Sequence, residues 1–421
     1  MITKAGIITI GNEVLYGHTL DTNAAFLGKE ALSLGLAITF RATVGDELGE
    51  IAEAVRFGMR KAEVLILTGG LGPTADDVTK RAVGRLMGSR MVFRRELLEA
   101  IRQRFASRGM KMPACNRSQA LVPHNALVLP NPQGTAPGLL FKPGRKLVAL
   151  LPGVPREMQA IWEGSLKAIL ANRVGGHTAV RTVRTFGLPE SAIAERLRSL
   201  EAQMPRGALA YLPSYRGVDL RIIIRDRDGR RAEDRAEAWA SRIIKKIGKV
   251  VYAQGQESME EVAGRLLRQK KLTLALAESC TGGLIGDRLT DVPGSSEYFL
   301  GGVTAYSNEL KQRLLGVSPI SLKRYGAVSR QTARQMARGA RERLGADMAL
   351  AVTGIAGPSG AVPGKPVGLV FLAVAGPHGE RVEERRFVGN RRTIKEWAAQ
   401  TGLDLIRRYL MADRRVCKNK R

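Results

Sequence analysis

Apolar runs of four or five residues that end in glycine-rich loops recur along this chain, and each is followed by a stretch with helical spacing. Val64-Leu65-Ile66-Leu67 leads into Thr68-Gly69-Gly70-Leu71-Gly72-Pro73. Leu147-Val148-Ala149-Leu150-Leu151 leads into Pro152-Gly153-Val154-Pro155, and residues 272–276 lead into Glu278-Ser279-Cys280-Thr281-Gly282-Gly283. A continuous apolar run describes a strand buried on both faces, and such a strand needs helices above and below it. The expected fold is therefore α/β, with two three-layer α/β/α domains joined by a small α+β module. The 421 residues exceed what one ordinary core supports. The expected boundaries are 1–172 for the first α/β domain, 173–255 for the connecting module, 256–412 for the second α/β domain and 413–421 for a basic tail. No chemistry is visible in the connecting module.

Composition narrows the setting. Cys115, Cys280 and Cys417 are too few and too widely spaced for a disulfide framework or a zinc site, which points to a reducing, cytoplasmic location. No leader-like segment is seen, and no apolar run is long enough to span a bilayer, so no membrane association is expected. The net charge of +28 favours contact with polyanions, so nucleic acid is one candidate partner. Aromatics make up only 5% of the chain, and no base-stacking surface is evident.

In open α/β sheets, ligands bind beyond the carboxyl ends of the strands. The loops there are therefore the places to look for function. Glu278 to Gly283 should pass from a strand into a helix, where glycines admit a ligand and free helix amides favour an anion such as phosphate. Pro293-Gly294-Ser295-Ser296 and Tyr306-Ser307-Asn308-Glu309-Leu310-Lys311 follow. The last 150 residues hold one histidine, His378, so a hydroxyl nucleophile here needs another base, and Lys311 is the best placed candidate. Its helix reads as exposed, so the lysine would need desolvation or a neighbouring cation to lose its proton. Cys280 reads as a small buried apolar residue rather than a nucleophile.

These segments, with Val352-Thr353-Gly354-Ile355-Ala356-Gly357-Pro358 and Phe387-Val388-Gly389-Asn390-Arg391, resemble the carboxyl-terminal domain of the CinA family from about Glu257 to Leu410. That family includes the bacterial nicotinamide mononucleotide (NMN) deamidases. The resemblance implies hydrolysis of NMN to nicotinic acid mononucleotide and ammonia, without a cofactor. Carried over by motif, it implies Ser296 as nucleophile, with Lys311 and Tyr306 as its catalytic partners. It also implies a substrate site at Ser279, Thr281, Gly282, Gly283, Thr353, Gly354 and Arg391. Arg391 would pair with the substrate phosphate and supply the cation beside Lys311.

Toward the amino end, Gly11-Asn12-Glu13, Val44-Gly45-Asp46 and Gly69 to Asp77 place carboxylates beside a glycine loop, which suits a divalent cation shared with phosphates. Asp76 and Asp77 also read as caps for a helix over 75–81. With Gly134-Thr135-Ala136-Pro137-Gly138 and Leu151 to Met158, these motifs resemble the amino-terminal CinA domain, a relative of molybdopterin-binding proteins, over roughly residues 4–170. The resemblance implies a metal-dependent ADP-ribose pyrophosphatase, with Glu13, Asp46, Gly70, Gly72, Asp76 and Asp77 in the site and Asp46 and Asp77 as metal ligands. The metal is not specified. A binding module that keeps the pocket without the chemistry is the rival reading. The family plan implies small nucleotides, NMN and ADP-ribose, as partners, and a homodimer. A competence or DNA-repair accessory protein that binds nucleic acid is the alternative from another class.

Overall fold

The computed structural model describes residues 2–412. The expected basic tail lies outside the described residues. Cα packing divides the chain into two compact units. The first comprises residues up to Val180 together with Ile223–Ala236, and the second comprises Arg181–Ile222 together with residues from Glu237 onward. The segment expected to connect the domains is thus shared between the units.

The first unit is built on six strands: β1 (Lys4–Ile10), β2 (Ala37–Val44), β3 (Val64–Thr68), β6 (Leu127–Leu129), β7 (Gly138–Phe141) and β8 (Leu147–Leu151). β4 (Met91–Phe93) and β5 (Leu121–Pro123) form a separate two-stranded ribbon. The main sheet runs β2-β1-β3-β8-β7-β6, with β2, β1, β3 and β8 parallel and β7 antiparallel to both of its neighbours, β8 and β6. Alternate residues feed two cores. Ile7, Ile66 and Ala149 meet the helices Thr22–Ser33 and Pro155–Ile161, while Ile8, Leu65, Leu67 and Val148 meet Leu48–Lys61 and Thr79–Leu86. Helices therefore cover both faces, as the continuous apolar runs require.

The middle sheet, β10 (Leu209–Ser214), β11 (Gly217–Asp226), β9 (His177–Thr185) and β12 (Val251–Gln254) in that order, has α+β character. Its helices are Glu190–Glu201 and Gly229–Ile247.

In the second unit, β13 (Leu274–Glu278), β14 (Phe299–Thr304), β15 (Met348–Gly354), β16 (Leu369–Gly376) and β17 (Gly379–Arg386) form a sheet in the order β14-β13-β15-β16-β17. β13 is parallel to both of its neighbours, and the last two strands are antiparallel. One face is large. Leu274, Leu276, Leu350, Val352 and Leu372 pack on the helices Met259–Lys270, Leu284–Thr290 and Arg391–Met411. The other face is mostly alanine, at 275, 277, 349, 351, 373 and 375, and it meets Ala333, Ala337 and Ala340 of the helix Arg330–Arg343. Small residues on both sides let that helix lie close to the strands. Among the described residues, no helix is long and apolar enough to cross a membrane.

Candidate active site

The parallel direction of β13, β14 and β15 brings their carboxyl ends, at Glu278, Thr304 and Gly354, to one edge of the sheet. Ser279 follows β13 directly, and its amide donates to Val352 O at 2.9 Å. β14 runs through Ala305 and Tyr306 into the helix Asn308–Leu315, which Ser307 caps by accepting from the Leu310 amide. Lys311 sits on the first turn of that helix and points back under the loop rather than outward. It is 1% exposed, so the solvated lysine expected from the sequence is in fact buried.

The Lys311 ammonium reaches Ser279 Oγ at 3.1 Å, Ala305 O at 2.8 Å and Tyr306 O at 3.0 Å. Burial pulls its pKa down to about 8. A buried ammonium without a counter-charge is disfavoured, which accounts for the direction. Arg391, expected to act as the cation beside Lys311, is not the cause; it donates to Gly357 O at 2.8 Å and to the Tyr306 hydroxyl at 2.9 Å. A neutral amine keeps two N–H donors, which match the two carbonyls, and its lone pair is then free to accept the Ser279 hydroxyl.

Ser296 is not part of this group. After β13 the chain returns through the helix Leu284–Thr290, so the turn Ser295–Glu297 lies at the amino end of the sheet. There the Leu274 amide donates to Tyr298 O at 2.7 Å. Ser279 stands at the opposite end of β13, roughly 15 Å away at about 3.3 Å per residue. Ser296 is exposed. The serine that the structure brings to Lys311 is Ser279.

A second expectation also changes. The helix amides thought to await an anion are already occupied. The buried Glu278 carboxylate accepts from Gly283 N at 3.1 Å and Ile285 N at 3.2 Å through one oxygen, and from Gly286 N at 2.9 Å through the other. Gly283 takes φ 94° to begin this wrap, a conformation that suits glycine. Thr281 is fully buried, and its hydroxyl has no partner among the described residues. Thr353 Oγ donates to Ala327 O at 2.9 Å and so holds a neighbouring loop, while Gly354 leaves no room for a side chain against Val370. Tyr306 is 60% exposed at the rim. Burial pushes the Cys280 thiol up to about 12, which keeps it protonated.

In the first unit, the ends of β1, β3 and β8 enclose a cleft of about 480 Å³ lined by Glu13, Asp46, Gly69 to Gly72, Asp76, Asp77 and Glu157. Gly70 has φ 64°, and a side chain there would strike Thr79. Burial raises the Asp46 carboxyl, and the charges of Glu13, Asp76 and Asp77 add to this against the Asn12 amide. Asp77 accepts from Gly72 N at 2.6 Å, from Thr74 N at 2.8 Å and from the Thr74 hydroxyl, so it shapes the glycine loop. Neither Asp76 nor Asp77 caps a helix. The helix begins at Thr79, with Val78 at its N-cap and no side-chain cap.

Among the described residues, no three His, Cys, Asp or Glu side chains form a metal cage. Glu13, Asp46, Asp76 and Asp77 all line the cleft, but among the described residues they do not converge on one point as a ligand set. Asp46 accepts from Asn12 N at 3.0 Å through one oxygen, whereas both Asp77 oxygens are engaged by the loop.

Three family models match successive stretches of the chain. They are described as a probable molybdopterin binding domain at residues 6–172, a damage-inducible protein CinA KH domain at 180–253 and a CinA C-terminal domain at 256–410. A CinA-like protein of Gemmatimonas aurantiaca is 43% identical over 407 residues, covering 96% of this chain and 95% of that protein. One from Geobacter sulfurreducens is 43% identical over 418 residues, covering 97% and 99%.

The chain belongs to the CinA family.

Among solved structures, the competence/damage inducible protein CihA of Agrobacterium tumefaciens is 43% identical, covers 36% of this chain and 95% of its own, and has a TM-score of 0.35. The CinA protein of Thermoplasma acidophilum is 35% identical, covers 40% and 98%, and has a TM-score of 0.38. Both the Ser279–Lys311 pair and the Glu278 clasp fall within the CinA C-terminal match. The sequence places Ser279 in the site without pairing it with Lys311. The available signal was its position immediately after a buried strand. Sequence reading missed Glu278 as the clasp of this CinA loop, although an acid at the last position of an all-apolar strand is a cue that it has buried partners.

Proposed function

We propose that the second unit hydrolyses the carboxamide of NMN to nicotinic acid mononucleotide and ammonia, with Ser279 as nucleophile and Lys311 as its base. The observation that carries this reading is the buried Lys311 amine 3.1 Å from Ser279 Oγ, with its pKa lowered to about 8. Neutral Lys311 accepts the hydroxyl proton as Ser279 attacks the carboxamide carbon. The amides of Cys280 and Thr281, which have no backbone acceptor among the described residues, would serve as donors to the oxyanion. Lys311 then returns its proton to the departing ammonia, and water cleaves the acyl-enzyme. Tyr306, tied to Arg391, borders the site where the substrate enters. The test is ammonia release from NMN by the full chain, compared with Ser279→Ala. An active Ser279→Ala variant would end the proposal.

For the first unit we infer metal-dependent hydrolysis of ADP-ribose. The crowding of Glu13, Asp46, Asp76 and Asp77 around a glycine loop supports this reading. A divalent cation bound with the substrate would polarise the diphosphate. Asp46 would hold that cation, and Asp77 would keep the loop in shape. A nucleic-acid role, suggested by a relative named as a putative competence-damage inducible protein, draws on the net charge of +28 and the KH-type match. Binding that falls steeply with salt would support it.

A further inference from the structure

Lys395 lies one helical turn beyond Arg391 on the helix Arg391–Met411, so the two side chains leave the same face. A methyl group placed on Gly282 would be 3.6 Å from Lys395 Nζ, which puts this ammonium over the turn that carries Ser279. Cys280, the residue after Ser279, has both Lys311 and Lys395 as neighbouring charges. Two lysine ammoniums thus lie close to the turn that carries Ser279.

The Lys395 ammonium is unmatched. Among the described residues Lys395 has no hydrogen bond or ion pair, although it is half-buried. Glu396, next to it in the chain, is paired with Arg392 at 2.5 Å. The Glu278 oxygens are committed to the helix amides. Arg391 touches only neutral oxygens, those of Gly357 and Tyr306. Holding an ammonium partly out of water with no acceptor is unfavourable, and an arriving anion offsets that cost. With the Gly283, Ile285 and Gly286 amides committed to Glu278, these two side chains are the positively charged groups left to meet an anion beside Gly282.

We infer that Lys395, together with Arg391, receives the phosphate of the substrate and so selects a nucleotide over the corresponding nucleoside. This rests on the amide-hydrolysis reading. Lys395 is a binding residue here: the phosphate does not react, and its interaction energy serves to position the carboxamide at Ser279.

The experiment compares NMN with nicotinamide riboside on the full chain, as wild type, Lys395→Ala and Lys395→Arg. A charge-assisted contact is worth about 1.5–3 kcal/mol, or roughly 10- to 100-fold. The ratio of kcat/KM for NMN over the riboside should fall by about that factor in Lys395→Ala, mainly through KM, and recover in Lys395→Arg. An unchanged ratio, or equal losses on both substrates, overturns the inference. Calorimetric binding of both compounds to Ser279→Ala separates the two ideas. If the wild type hydrolyses neither compound but NMN binds more tightly than the riboside in a Lys395-dependent way, the inference stands and the amidase reading falls. If NMN does not bind, both fall.

Discussion

Lys311 and Ser279, 32 positions apart in the chain, are joined by a 3.1 Å hydrogen bond inside the protein, beneath the loop that follows β13. The same lysine nitrogen holds the carbonyls of Ala305 and Tyr306, so its position is fixed by the end of the adjacent strand. One side chain therefore ties the Ser279 hydroxyl to the backbone at the end of β14.

The first prediction concerns pH. The Lys311 pKa is lowered to about 8, so the base is protonated at acid pH and becomes competent as the pH rises. The kcat/KM for NMN should climb tenfold per pH unit below about pH 8 and level off above it. A flat profile from pH 6 to 8 would remove Lys311 as the base.

The second separates the two serines. Ser279→Ala should lose at least about 10³-fold in kcat, while Ser296→Ala, at the other end of the strand, should stay within about twofold of wild type. Thermal melts of both variants would confirm that they fold.

The third concerns stability. The folded pKa of Lys311 lies below the usual value of 10.5, so between about pH 8 and 10.5 the unfolded chain binds more protons. Stability of the second unit gains from this group as pH rises through that window and loses the gain as pH falls. Lys311→Met, similar in length and without a buried charge, should be inactive, melt a few degrees higher at pH 7 and lack this pH-dependent component. A lower melting temperature would show that the bonds to Ala305 and Tyr306 outweigh the desolvation cost.

The fourth tests the clasp. Glu278→Gln keeps the shape but weakens the acceptor for three amides, one buried and two part-buried, and should cost about 1–3 kcal/mol. Urea unfolding followed in the second unit measures it, and an unchanged midpoint would refute the role.

The fifth addresses the first unit. Asp46→Asn should abolish metal-stimulated ADP-ribose hydrolysis and leave NMN deamidation intact, since the residue lies in the other compact unit. Assays across a panel of divalent cations would read both reactions, and unaffected ADP-ribose hydrolysis would discard Asp46 as the ligand.

Much of the architecture could be read from the sequence because buried parallel strands leave uninterrupted apolar runs, and those at 64–67 and 147–151 coincide with β3 and β8. The short antiparallel strands β4 to β7 carry no such signal beyond three or four residues. The site was harder. Pro-Gly-Ser-Ser and Glu-Ser-Cys-Thr are both plausible nucleophile settings as strings, and only strand direction reveals that one lies at each end of β13. The burial of Lys311 was hidden as well. Its helix is polar in sequence, and the lysine is covered by the loop above it rather than by its helical neighbours.

The Glu278 clasp has an evolutionary consequence. Main-chain amides cannot be exchanged by mutation, so a site that grips an anion through them is held to that anion. Here a carboxylate from the protein itself takes those amides, leaving recognition to the removable side chains Arg391 and Lys395. The selectivity of this scaffold can thus drift by single codon changes while Ser279 and Lys311 remain in place.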